Sequence, residues 1–202
     1  MDSKMIALLQ SFPALEICSD SITRALDLLA ATAKADGLIL ACGNGGSAAD
    51  CEHIVGELMK GFMQKRPDPT LPEWAAPLQK GIRSISLPSQ CAVLSAFNND
   101  VDPALVYAQL TRAYGRPGDT LIGLSTSGNS KNVVNAWKIA RFSELSTIAL
   151  VGECLCAADE LCDVVIHAPS SETYRIQEYH LPIYHYLCAA LEERLFDAQL
   201  QA

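Results

Sequence analysis

Positive charge is scarce in this sequence. Lys and Arg number 15 against 23 Asp and Glu, a formal net charge of −8. No polybasic run occurs, so the electrostatic footprint that nucleic acid or an anionic membrane surface requires is missing. No apolar stretch approaches the roughly 18 uninterrupted residues of a membrane-spanning helix. The opening residues, MDSKMIALLQSF, hold one Lys and a short apolar run with no small-residue cleavage site after it. They are expected to form a helix, not a signal peptide. No CxxC pair occurs among Cys18, Cys42, Cys51, Cys91, Cys154, Cys156, Cys162 and Cys188. A cysteine zinc site and a disulfide framework therefore lack support, and buried free thiols in a reducing cytoplasm are expected. Glycine (12) and proline (10) are too few for a collagen-like or low-complexity chain.

What is present suits a globular domain. Hydrophobic residues make up 50% and charged residues 19% of 202 residues, enough for a full core. Length alone predicts about 1.3 domains, hence one, spanning 1–202. A compact α/β core leaves roughly 50 residues over. Five short apolar runs, 38–42, 83–87, 120–124, 147–151 and 163–167, read as buried strands. Helical stretches lie at 3–35 (in two pieces, broken near Pro13), 47–62, 89–113 (also in two pieces), 129–142, near 155–161, and 175–197. This alternation predicts a flavodoxin-like, doubly wound parallel sheet of order 2-1-3-4-5. The N-terminal helices fill 1–37, the sheet core 38–167 and the last helix 168–202. The segment 64–80 holds four prolines and reads as an exposed linker, with a lid or subunit contact as the alternative.

Two loops carry the first chemical signal. The first strand runs into Gly43-Asn44-Gly45-Gly46-Ser47, and the third into Ser125-Thr126-Ser127-Gly128-Asn129-Ser130, each followed by a helix. In the expected strand order both flank the switch-point crevice. Glycines permit close approach, helix N-termini attract anions, and hydroxyls add neutral donors. The pair suits one phosphate on a small molecule, which the overall charge does not forbid. The plainer alternative is a tight turn with Ser47 or Asn129 as an N-cap. No Lys follows the glycines as in a Walker A loop, and Ala48 interrupts a GxGxxG pattern, so nucleotide binding is disfavoured.

Two helix faces carry the second signal. Asp50, His53 and Glu57 share a face by their three- and four-residue spacing. His53 and Glu57 can hold a divalent metal or a proton between them, or form a plain exposed ion pair. Gln177 and His185 on the last helix are eight apart, about 80° around and about 12 Å along the axis. They reach one ion only by leaning together; otherwise Gln177 precedes the regular helix or the two serve different sites. His180 is expected to face packing or solvent, and His167 to be structural.

These segments, with Asn99-Asp100 and Arg175-Ile-Gln-Glu-x-His180-x-x-x-x-His185, resemble the sugar-isomerase (SIS) fold over roughly residues 20–197. Within it they are similar to phosphoheptose isomerases, which convert sedoheptulose 7-phosphate to heptose 7-phosphate. The resemblance implies a cytoplasmic aldose–ketose isomerase working through an enediol, a homotetramer with sites between subunits, and zinc as the usual metal. By position it implies His53, Glu57, Gln177 and His185 as metal ligands, with Glu57 and His185 also the acid/base pair. It assigns Ser47, Ser125, Thr126, Ser127 and Ser130, with Gly45 and Gly46, to the phosphate, and Asn44, Asp100 and Gln177 to the substrate. A non-catalytic relative on the same fold, a DnaA-binding scaffold, lacks the Glu and the last His. A sugar-phosphate sensor needs only the loops. Two departures concern the substrate: Gly61 stands where the heptose enzymes have an Arg, with Lys60 as a possible substitute, and 64–80 is longer than in those enzymes.

Overall fold

All five apolar runs form strands: β1 (Ile39–Gly43), β2 (Ser84–Ser86), β3 (Thr120–Leu124), β4 (Ser146–Val151) and β5 (Val164–His167). The structure, a computed structural model, describes residues 2–196. The sheet is parallel throughout, in the order β2-β1-β3-β4-β5 expected from the alternation of elements. β2 is shorter than its apolar run because Leu87 already begins a 3₁₀ turn containing Pro88, which has no N–H to give a ladder.

Alternating strand residues feed two separate cores. Ile39, Ala41, Ile122, Leu124, Ile148 and Leu150 face one side of the sheet. There they meet α1 (Ser3–Ser11), α2 (Ser19–Lys34), α3 (Gly46–Met59) and α8 (Thr173–Phe196). Leu40, Cys42, Leu121, Ala149 and Val151 face the other side, against α5 (Val106–Tyr114), α6 (Lys131–Phe142) and α7 (Ala158–Leu161). Between β2 and α5, α4 (Cys91–Asp100) carries no buried residue. The break near Pro13 is a 3₁₀ segment, Pro13–Cys18. α8 starts two residues before its expected position, and residue 197 lies outside the described residues.

The segment 64–80 departs from the linker reading. Its first turn is anchored in the interior: the Arg66 guanidinium is buried against Glu192, Nε to Oε1 2.8 Å. The same carboxylate accepts the amides of Phe62, Met63 and Gln64. Beyond Arg66 the loop is closed at its base. Pro67 bridges Gln79, and the Lys80 amide donates to the Arg66 carbonyl at 2.8 Å. The cysteines are all free, but only Cys18, Cys42, Cys51 and Cys188 are buried. Burial pushes the thiols of Cys18 to about 11 and of Cys188 to about 12, which makes them inert core residues. Cys91 and Cys154 are exposed, contrary to the expectation for all eight.

Candidate functional site

Because β1 and β3 are neighbours, the loops leaving their C-terminal ends lie side by side. Gly43 is required where β1 turns into α3, since a Cβ there would stand 2.7 Å from the Ser47 carbonyl oxygen. Gly45, at φ +56°, is the N-cap of α3, so no side chain caps that helix. Ser130 precedes α6, again without a side-chain cap. The N-cap alternative therefore does not hold. The Ser47 amide donates to the Asn44 carbonyl, and the Asn129 side chain is engaged with Ser127 and Ala157. Among the described residues the N–H groups of Gly46 and Thr126 find no intrachain acceptor. Two uncapped helix N-termini thus face one crevice, the arrangement that binds an anion.

The crevice measures about 340 Å³ and is lined by Asn44, Gly45, Gly46, Ser47, Ser125, Thr126 and Ser130, with Thr173 and Gln177 from α8. Two reciprocal amide bonds, each 2.9 Å, latch Asn44 to Asn132 and so lock the two loops together. The Tyr107 hydroxyl donates to the Gly43 carbonyl at 2.6 Å and holds the first loop from below. Sequence reasoning missed both Asn132 and Tyr107. Asn132 follows the second loop by only two residues, which was the available signal; Tyr107 offered none. Ser127 is exposed and accepts from the Asn129 amide, and does not line the crevice. Asp100, at the end of α4, is exposed and bonded to Asn99.

The second cluster lies two to three turns along α3, where α8 packs against it. His53 Nε2 is 3.4 Å from Glu57 Oε1 and 3.3 Å from His185 Nε2. The imidazoles of His53 and His185 meet edge to face, ring centroids 4.9 Å apart, with Phe62 behind His185. Burial first, and then the neighbouring His53, push the His185 imidazole below the ordinary histidine range, while Glu57 opposes this. His53 Nδ1 faces the Tyr184 hydroxyl at 3.1 Å, and that hydroxyl also lies 3.1 Å from Asp50 Oδ1. Burial raises both the Asp50 carboxyl and the Tyr184 phenol above their ordinary values.

Two imidazole nitrogens and a carboxylate oxygen are a donor set for a borderline divalent ion. Their separations of 3.3 and 3.4 Å match the edge, about 3.3 Å, of a tetrahedron with ligands about 2.0–2.1 Å from its centre. Glu57 and His185 do not meet each other, and among the described residues no three His, Cys, Asp or Glu side chains come close enough together to hold a metal ion. Gln177 is elsewhere. α8 is continuous from Thr173 to Phe196, so Gln177 and His185 stay about 12 Å apart. The Gln177 amide lies over the crevice between the two loops, where a Cβ on Gly46 would come within 2.7 Å of it. Of the four expected ligands, one chain places Glu57 and His185 each beside His53, and leaves Gln177 apart. Lys60 reaches the other Glu57 oxygen at 3.4 Å. His180 is fully buried, bonded to the Val151 carbonyl, and His167 is held between the Gly152 carbonyl and Asp159.

Comparison with known proteins gives the class to which this fold belongs. The family model described as SIS domain matches residues 4–152, and the chain belongs to that family. Phosphoheptose isomerase 2 of Campylobacter jejuni is 43% identical over 157 residues, 78% of this chain and 72% of that protein. The phosphoheptose isomerase of Rhodospirillum rubrum is 36% identical over 178 residues, 88% of each. The solved phosphoheptose isomerase of Neisseria gonorrhoeae superposes with a TM-score of 0.78 at 32% identity, covering 95% of this chain and 94% of that one. Within the SIS family the chain therefore stands among the phosphoheptose isomerases.

Proposed function

We propose that this protein isomerises a ketose phosphate, sedoheptulose 7-phosphate, to the aldose heptose 7-phosphate through an enediol. The observation that carries this is the placement of His53, on the helix whose N-terminus opens the phosphate crevice, 3.4 Å from Glu57 of that helix and 3.3 Å from His185 of α8. Along α3 the crevice and the cluster are about 10 Å apart, a separation suited to the phosphate and the reacting carbons of one extended substrate.

The uncapped amides and the hydroxyls of Ser47, Ser125, Thr126 and Ser130 would grip the phosphate and fix the distance to the reacting carbons. Glu57 would take the proton from the carbon beside the carbonyl and return it to the neighbouring carbon. His185 would give a proton to the carbonyl oxygen and take one from the adjacent hydroxyl, so that protons balance over the cycle. A zinc ion held by His53, Glu57 and His185 would supply Lewis-acid polarisation of the carbonyl. The same reading has a homotetramer with sites between subunits. Support comes from α4, which buries nothing within its own chain, and from Gln177, which does not reach the cluster of its own chain.

The test is turnover of a panel of ketose phosphates, with and without chelator, alongside a mass measurement in solution. Sedoheptulose 7-phosphate should be converted, and chelation should abolish conversion. Glu57→Gln should lower the rate by at least a hundredfold with the fold and the assembly unchanged. A folded, zinc-loaded protein that converts no ketose phosphate overturns the reading, and wild-type rates in Glu57→Gln remove Glu57 from its role.

A further inference from the structure

We infer that Asp50 and Tyr184 are positioning residues that fix the tautomer of His53, holding its proton on Nδ1 so that the Nε2 lone pair faces Glu57 and His185. The inference deepens the proposed reading, because His53 acts there through Nε2.

The argument is a count of protons. The Tyr184 oxygen lies 3.1 Å from Asp50 Oδ1 and 3.1 Å from His53 Nδ1. A phenol has one proton to give, and an ionised carboxylate can only accept. Bonds to an ionised acceptor are the stronger ones, so the Tyr184 proton goes to Asp50. The Tyr184 oxygen is then an acceptor, and the group facing it is His53 Nδ1, which must donate. In the neutral imidazole that leaves Nε2 without a proton, 3.4 Å from Glu57 Oε1 and 3.3 Å from His185 Nε2. Without the carboxylate, the phenol would be free to donate to Nδ1 and the His53 proton would move to Nε2, onto the Glu57 side.

The placement is well supported by packing. Asp50 and His53 are one turn apart on α3, and the Tyr184 ring is buried, edge-on to the His53 ring at 5.4 Å. Tyr184 and His185 are consecutive on α8. One helix therefore supplies both a member of the cluster and the group that orients the member on the other helix. Groups that hydrogen-bond the far nitrogen of a metal-binding His raise affinity by about 10–100-fold.

Two measurements on the full chain test this. Long-range ¹H–¹⁵N NMR of the metal-free protein, with His53 assigned through His53→Gln, reads the tautomer directly. The Nδ1–H form is expected in the wild type and should be lost in Tyr184→Phe and in Asp50→Asn. Zinc binding, read by competition with a chromophoric chelator, should weaken about 10–100-fold in each variant and no further in the double variant. Inorganic phosphate binding and the melting temperature serve as controls for an intact fold. An Nε2–H tautomer in the wild type, or a Tyr184→Phe protein unchanged in tautomer, overturns the inference. If the wild type takes up no zinc, the ligand reading of His53 fails, while the tautomer measurement still decides the role of Asp50 and Tyr184.

Discussion

Four histidines occur in the chain, and their surroundings separate them. His53 and His185 face each other at the cluster, His167 is clamped between two acceptors, and His180 is sealed in the core. Burial pulls the His180 imidazole down to about 4, partly opposed by its bond to the Val151 carbonyl; among the described residues its Nδ1 has no partner. In the unfolded chain the same group takes a proton near its ordinary value of 6.5. Between those two values the unfolded state binds the extra proton, so stability is full above about 6.5 and falls as pH drops towards 4. The loss attributable to His180 amounts to about 3 kcal/mol at the acid end. Denaturant titrations from pH 7 to pH 4 should show a shallower loss of stability in His180→Leu than in the wild type; identical slopes would exclude His180 as the cause. The helical repeat already placed His180 away from the face of Gln177. It could not say whether Gln177 lies inside the regular helix, because helix starts are set by tertiary contacts that the sequence does not display. Likewise the position of Asn132 two residues past a loop marks it only as a neighbour of the crevice; that its amide spans to Asn44 depends on how the loops lie.

At the scale of elements, the end of α3 is decided by a partner far away in sequence. The expected helix ran to residue 62, but α3 stops at Met59, and Lys60 is extended. Arg66 donates to the Leu58 carbonyl at 2.7 Å and to the Glu57 carbonyl at 3.3 Å, satisfying the helix end, while Glu192 holds Arg66 in place. The turn that carries Glu57 is thus tied to α8. Removing one member leaves a buried charge uncompensated, which costs about 3–5 kcal/mol. Glu192→Leu should lower the unfolding free energy by about that amount, whereas Arg66→Met with Glu192→Leu should recover only the part due to the unpaired charge, because the Phe62, Met63 and Gln64 amides and the helix-end carbonyls still lose their partners. A single variant as stable as the wild type in a urea titration would contradict this account. In the sequence Arg66 looks like any cation beside prolines. Its partner lies 126 residues away, and nothing local marks either as buried.

At the scale of the whole molecule, the order of the sheet explains why so much of the site could be read early. Alternating strands and helices leave few arrangements, and the chosen one puts the β1 and β3 loops at one crevice. What could not be read is how α8 lies. It crosses α1, α2 and α3, brings His185 to His53 and leaves Gln177 at the crevice. The family model ends at residue 152, short of α8, so that helix rests on the structure and on whole-chain relatives. The loop between Pro67 and Gln79 has a consequence of another kind. Because the Pro67–Gln79 bridge and the Lys80–Arg66 bond close its base, the site does not register how many residues lie between them. Chain length there is a free parameter. Doubling such a loop costs only about 0.6 kcal/mol in closure entropy. A Gly/Ser insert after the exposed Thr70 should leave turnover intact and the unfolding midpoint nearly so, which makes this loop a natural place to graft a tag or a tether.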